Sequence, residues 1–470
     1  MRFLQTFALV AGFVAASSVV YGENPHVVVI LVDDMGYGDA ACYNPKSKIK
    51  TPNLNELAAE GMRFTDAHAP GPLCHLSRYG LMTGTYPFRT DISVWPTKPV
   101  IQEKEDTIAK LLSRQGYQTA MVGKWHLGFL ENGYDNSLPG GPVDQGFQSY
   151  FGIRASTDIP PYFYIRGDKA VMPPTDEIGD NATDGWSPIQ GEFWRAGGIS
   201  PDLKLDQVLP RFTDEAIEVI KKRDEEKPLM LYLAYPAPHT PWLPSEEFKE
   251  TSKAGIYGDF MTMVDDEIGK VLSALEEAGM TEDTLVLFTS DNGPVWYEED
   301  VERLGHDSSG GFRGMKADAW EAGHRMPFII RWPEAVEAGS VADKTISFTD
   351  LLATLAELTG GELTADGGPD SHSFLSTLRG KSARERPPVV MQSGRKLMTI
   401  RSGDWKLIEG KGSGGFTKVS AEALKEEPEA QLYNLAKDPG EENNLFEEMP
   451  EVVDRLRFEM AEVIGPSVED

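Results

Sequence analysis

Four apolar runs in this sequence end in side chains that can do chemistry. Asp33 and Asp34 follow Val27–Val32, and Asp291 and Asn292 follow Leu285–Ser290. Lys124 and His126 follow Thr119–Val122, within Gly123-Lys124-Trp125-His126. His239 follows Leu229–Ala234, within Pro238-His239-Thr240-Pro241. Three carboxylates and an amide are hard oxygen donors, which suit Ca²⁺ or Mg²⁺ better than zinc. Carboxylates gathered at one point repel one another unless a cation joins them. A cation with Lys124, His126 and His239 makes a positive pocket, and such a pocket suits a small oxyanion. Taken singly, Asp33-Asp34 also reads as a helix cap and Asp291-Asn292-Gly293 as a turn. The recurrence at four run ends favours a common site.

A second motif, Cys74-His75-Leu76-Ser77-Arg78 through Thr83-Gly84, predicts a short helix from about Leu76, stopped at Gly84. Cys74 then sits at the helix start, where free N–H groups favour negative charge. Arg78 lies one turn further on, within reach of an oxyanion. A nucleophile at such a position is chemically sensible, although a lone cysteine is also a common buried packing residue.

These residues need a frame that brings the run ends together. Val27–Val32 is continuously apolar and β-branched, as in a parallel strand buried on both faces. Thr51-Pro52 opens a helix that ends at Gly61, and Asp106 is the expected cap of a second helix ended by Gly116. Helix Thr213–Lys222 precedes strand Leu229–Ala234, and helix Tyr257–Glu277 precedes strand Leu285–Thr289. This alternation predicts an α/β fold: a large mixed, mostly parallel sheet sandwiched by helices. Ligands in such sheets bind beyond the carboxyl ends of the strands, where the candidate residues fall.

Residues 133–201 are rich in Gly, Pro, Asp and aromatics and read as a functional insertion. Near Gly380 the composition turns charged and proline-bearing. Beyond it, Val389–Gln392, Leu397–Arg401, Trp405–Ile408 and Gln431–Leu435 read as short strands, and Val452–Val463 as a closing helix. The expected division is a leader at 1–22, a main domain at 23–380, and a small C-terminal α+β domain with an antiparallel sheet at 381–470.

The chain has 470 residues, 45 basic and 74 acidic, for a formal charge of −29. That balance argues against nucleic acid as a partner. Cys42 and Cys74 are the only cysteines, too few for a disulfide framework or a cysteine zinc site. Cys42 reads as a small buried residue. Arg2, the apolar run Phe3–Val14 and the small residues before Glu23 read as a secretory signal peptide, so the expected location is periplasmic or secreted. No later stretch approaches the roughly 20 apolar residues of a membrane span.

The ordered set of motifs resembles the formylglycine-dependent type I sulfatases of the alkaline phosphatase superfamily. Cys74–Gly84 is similar to the sulfatase signature, a Cys-x-Pro-x-Arg core followed by Leu-x-Thr-Gly, with Leu76 standing at the proline position. Asp33-Asp34, Lys124-Trp125-His126, Pro238-His239 and Ser290-Asp291-Asn292-Gly293 match in order. So do Arg313-Gly314-Met315-Lys316, Glu321-Ala322-Gly323 and Arg325-Met326-Pro327. Ile400-Arg401 to Lys406-Leu407 and Leu432-Tyr433-Asn434 to Asp438-Pro439 resemble the family's C-terminal sheet domain.

The resemblance implies sulfate ester hydrolysis, with a sulfated sugar or glycan as substrate. It implies one calcium ion on Asp33, Asp34, Asp291, Asn292 and residue 74. It also implies that a formylglycine-generating maturation enzyme oxidises Cys74 to formylglycine, whose hydrate supplies the attacking oxygen. Arg78, Lys124 and Lys316 would neutralise sulfate oxygens. His239, helped by Lys316, would protonate the leaving alcohol, and His126 would act as the base that restores the aldehyde. His306, Asp158 and Arg195 are expected substrate contacts, and Tyr162, Tyr164, Phe193 and Trp194 are candidate sugar-stacking rings. The same pocket also fits a phosphodiesterase or phosphonate monoester hydrolase, and Leu76 leaves open a non-catalytic glycan-binding role.

Overall fold

The computed structural model describes residues 24–93, 95–382 and 385–465. The signal-peptide reading of 1–22 falls outside them. A ten-stranded sheet forms the centre. Its five middle strands are parallel and run, from one side to the other, Thr284–Ser290, His26–Asp33, Leu229–Pro238, Gln118–Lys124 and Ser149–Ile153. Phe328–Arg331 adds antiparallel on one side and Ile165–Arg166 on the other. The sheet is therefore mixed and mostly parallel.

The apolar run at 27–32 is buried on both faces for a simple reason: successive side chains point oppositely. Val27, Val29 and Leu31 join the core beneath Cys74–Thr83, Ile108–Arg114 and Asp350–Thr359. Val28, Ile30 and Val32 join the core beneath Pro52–Glu60, Val208–Lys221 and Gly255–Glu277. The sheet is thus helix-covered on both sides, and its carboxyl edge is left to the loops.

Several local expectations are corrected. Thr107, not Asp106, caps the helix Ile108–Arg114, its side chain accepting from Lys110 N. Asp106 instead accepts from the Thr107 N–H and pairs with Arg114 at 2.7 Å. The helix expected from Thr213 begins at Val208, because Val208, Leu209 and Phe212 already lie on its buried face. Residues 133–201 hold strands as well as loops. Ser149–Ile153, Ile165–Arg166 and Lys169–Ala170 extend the main sheet, and most are too short to show periodicity. Cys42 is half-buried rather than buried, and both cysteines are free.

At the C-terminal end, Val389–Gln392, Met398–Ser402, Trp405–Glu409 and Gln431–Asn434 form an antiparallel four-stranded sheet. Helix Pro450–Ile464 packs on it through Val452, Val453, Leu456 and Met460. Among the described residues, no helix is long and apolar enough to cross a membrane.

Candidate active site

Parallel registration brings the run ends together. Asp33 is the last residue of its strand, and Asp34 turns the chain away in the left-handed region at φ 65°. The Asp34 N–H donates to Asp291 Oδ1 at 3.3 Å, and the Asp291 N–H donates to Val32 O at 3.0 Å. Lys124 closes the strand Gln118–Lys124, two places from His26–Asp33 in the sheet, rather than following it. His126 also adopts a left-handed backbone, at φ 59°. Such backbones in residues other than glycine are costly and concentrate at functional sites.

Cys74 is the first residue of the helix Cys74–Thr83, all of whose residues are buried. Its Sγ lies 3.3 Å from Asp33 Oδ1 and 3.3 Å from Lys316 Nζ. Arg78 reaches across with Nη2 2.8 Å from Asp291 Oδ2 and 3.3 Å from Asp33 Oδ2, while Nη1 donates to Lys124 O. Lys124 Nζ contacts Asp33 Oδ2 and donates to Ser156 Oγ at 2.6 Å. Lys316 Nζ lies 2.5 and 2.7 Å from the two Asp34 oxygens. His239 Nε2 stands 3.6 Å from Asp34 Oδ2, and its Nδ1 is 2.7 Å from Thr240 O. That second contact favours the tautomer whose Nε2 is turned to the cluster.

The electrostatics follow from burial and pairing. Burial alone would raise the Asp33 carboxyl, but Lys124, His239, Arg78 and Lys316 hold it well below the usual carboxylate range. Burial, followed by the Asp33 charge, raises Asp291. Burial, then Asp291 and Asp33, pushes the Cys74 thiol well above its ordinary range. An unmodified thiol held protonated is a poor nucleophile. Burial, then Lys124, His75 and Arg78, holds the His126 imidazole well below its usual value. His126 is therefore neutral and able to accept a proton, and neither ring nitrogen has a hydrogen-bond partner.

The donor set fits a hard cation. Asp33, Asp34, Asp291 and Asn292 are all buried. Asn292 Oδ1 is buried without a hydrogen-bond partner, while Nδ2 donates to Asp34 Oδ1 at 2.7 Å. A half-turn of the amide would present that oxygen beside Asp34, an arrangement that a shared cation stabilises. The three carboxylates are balanced by Arg78, Lys124 and Lys316. A divalent ion would leave the cluster net positive, as an anionic ester requires.

The residue-by-residue outcome is uneven. Cys74, Arg78, Lys124, His239, Lys316 and the four oxygen-bearing side chains Asp33, Asp34, Asp291 and Asn292 converge, and His126 lies beside them. Asp158 is buried with Oδ1 3.9 Å from His239 Nδ1, and it contacts Arg195 through Oδ2. His306 is not brought to the cluster. Its side chain is fully buried, with Nε2 2.8 Å from Asp39 Oδ1, so it has no surface for a substrate to touch. Asp39 also accepts from Tyr257 and from Gly36 N, so His306 props the loop behind Asp34. Tyr162 and Tyr164 are core residues. Sequence reading missed Ser156, which carried no motif, and the His75 ring, 5.9 Å from that of His126, although His75 lies inside the signature.

With this geometry in place, comparison with known proteins is decisive. The sulfatase family profile matches residues 25–361. The chain belongs to the sulfatase family. It is a sulfuric ester hydrolase. It is 34% identical to an N-acetylgalactosamine-6-O-sulfatase of Bacteroides thetaiotaomicron over 92% of each chain. It is 32% identical to arylsulfatase A of Homo sapiens over 98% of this chain and 92% of the other. A Bacteroides thetaiotaomicron structure, solved in work on the metabolism of multiple glycosaminoglycans, superposes with a TM-score of 0.82 at 31% identity. That match covers 94% of this sulfatase and 99% of the solved chain.

Proposed function

We propose that this sulfatase is exported and removes sulfate from a sulfated sugar, with 6-sulfated N-acetylgalactosamine or galactose as the leading class. The carrying observation is the position of Cys74, whose Sγ is 3.3 Å from both Asp33 Oδ1 and Lys316 Nζ. A group at that point sits between the oxygen-ligand set and a cation that can hold a sulfate oxygen. The sulfated-sugar reading is supported by the names of the Bacteroides relative and the glycosaminoglycan-linked structure.

In this reading Asp33, Asp34, Asp291, Asn292 and residue 74 hold one calcium ion. A calcium ion held there would supply Lewis-acid polarisation of the reacting oxygens. Formylglycine at residue 74, once hydrated by water to the geminal diol, would supply a hydroxyl nucleophile where the protonated thiol could not. Arg78, fixed by two carboxylates and the Lys124 carbonyl, points a preorganised charge at the sulfo group. Lys124 and Lys316 carry the remaining charge complement. His239, as the imidazolium whose Nδ1–H is held by Thr240 O, delivers its Nε2 proton to the leaving alcohol. His126, neutral and without a partner, takes the proton that lets sulfate depart. Asp158 and Arg195 form the wall against the sugar.

The test is a panel of sulfated sugars with inorganic sulfate as readout. Turnover of a 6-sulfated N-acetylgalactosamine or galactose is expected. Hydrolysis of phosphate diesters or phosphonate monoesters with no sulfate release from any sugar would overturn the reading.

A further inference from the structure

Beyond His239 the wall of the site continues outward. Asp158 Oδ1 is 3.9 Å from His239 Nδ1. Asp158 Oδ2 and the Asp158 carbonyl both accept from Arg195 Nη1. The Arg195 guanidinium meets two rings, 4.9 Å from the centre of Phe193 and 5.2 Å from that of Trp95. Trp95 is 52% exposed. The indole meets the guanidinium in a cation–π contact and stays half open to water. Beside Arg195 and Asp158, that open indole face is available to a ligand.

We propose that Trp95 is a sugar-stacking platform that binds the residue next to the sulfated sugar, so that the preferred substrate is an oligosaccharide. This rests on the sulfated-sugar reading above. The leaving oxygen lies at His239, and the sugar that bears it lies against Asp158 and Arg195. A chain continuing outward reaches the open indole face. Sugar rings present flat C–H faces that pack on indole, while the ring hydroxyls stay in water. Arg195, itself tied to Asp158, holds the indole beforehand, so less conformational freedom is lost on binding. Asp158 thereby fixes the position of Arg195, and Trp95 extends its surface.

The experiment measures binding by titration calorimetry to the Cys74→Ala protein, with and without Trp95→Ala. The ligands are a 6-sulfated N-acetylgalactosamine monosaccharide and an oligosaccharide ending in that sugar. The Cys74→Ala protein should prefer the oligosaccharide. Trp95→Ala should cut that preference by about 10-fold, and Trp95→Phe should restore most of it. An unchanged preference in Trp95→Ala overturns the platform, as does the absence of any oligosaccharide preference in the parent. Sulfate release by the wild-type protein is measured in parallel. Release with no effect of Trp95 on binding sinks the platform alone. Trp95-dependent binding with no sulfate release sinks the proposed substrate and leaves the platform standing.

Discussion

Gly415 lies against the backbone of Ala317, the residue that follows Lys316. A Cβ on Gly415 would stand 2.2 Å from the Ala317 carbonyl carbon and 2.3 Å from its oxygen. The same peptide is gripped from other directions. Ala317 N donates to Pro72 O, Gly394 N donates to Ala317 O, and Lys316 N donates to Pro294 O, each at 2.8 Å. Ala317 itself is held at φ 73°. The C-terminal sheet region therefore presses the Lys316 loop into place beside Cys74.

Gly415→Ala should therefore displace Lys316. A shift of about 1 Å at a charge-stabilising group costs on the order of 100-fold in rate. Steady-state kinetics should show that loss in kcat/KM while circular dichroism still reports a folded protein. Unchanged kinetics would show that Lys316 does not depend on this contact.

The junction between the two sheets also predicts a pH effect on stability. Burial lifts the Glu441 carboxyl to about 7, against the Lys406 ammonium 2.8 Å away and with the Glu321 charge adding to the rise. An unfolded glutamate titrates near about 4.3. Between these values the folded protein keeps a proton that the unfolded chain has released. This contribution to stability is complete below about pH 4.3 and is lost as pH rises through about 7. The melting temperature should fall between pH 5 and 8, and Glu441→Gln should flatten that slope. Glu321, held well below the usual range although burial opposes it, titrates lower and leaves this window clear. A Glu441→Gln protein with the wild-type slope would refute the assignment.

The two histidines should separate the two halves of turnover. His239→Ala should slow release of the alcohol, and His126→Ala should slow release of sulfate, each by about 100-fold or more. Rapid mixing of His126→Ala with substrate should therefore give about one equivalent of alcohol per enzyme while inorganic sulfate is withheld. Equal retention of both products in the two variants would contradict the division of roles.

Calcium removal should cost activity and stability together. Chelation should lower the rate by about 100-fold or more, and added Ca²⁺, rather than Zn²⁺, should restore it. Calcium at 100 times its dissociation constant should add about 2.7 kcal/mol to unfolding stability. Asn292→Ala should need more calcium for the same recovery. Full activity after exhaustive chelation would remove the ion from the account.

Much of this was legible in the sequence because parallel strands impose a simple geometry. The run at 27–32 announces a strand buried on both faces, and such strands place Asp33, Lys124, His239 and Asp291 at one sheet edge. What was not legible depends on contacts between distant segments. His306 lies close to Lys316 in sequence, yet Asp39 and Trp296 hold it in the core. Trp95 sits in a segment without periodicity, and only the fold brings it to Arg195. Ser156 and Gly415 carry no motif at all. Their roles come from what Lys124 and Ala317 need beside them. The strands at 165–166 and 169–170 are too short to leave a pattern.

The central claim is that residue 74 works as formylglycine. It is tested most directly by the mass of the tryptic peptide Phe64–Arg78 from an active preparation. The account predicts a peptide about 18 Da lighter than the cysteine form, without an alkylatable thiol. An active enzyme whose peptide carries only intact, alkylatable Cys74 would contradict it.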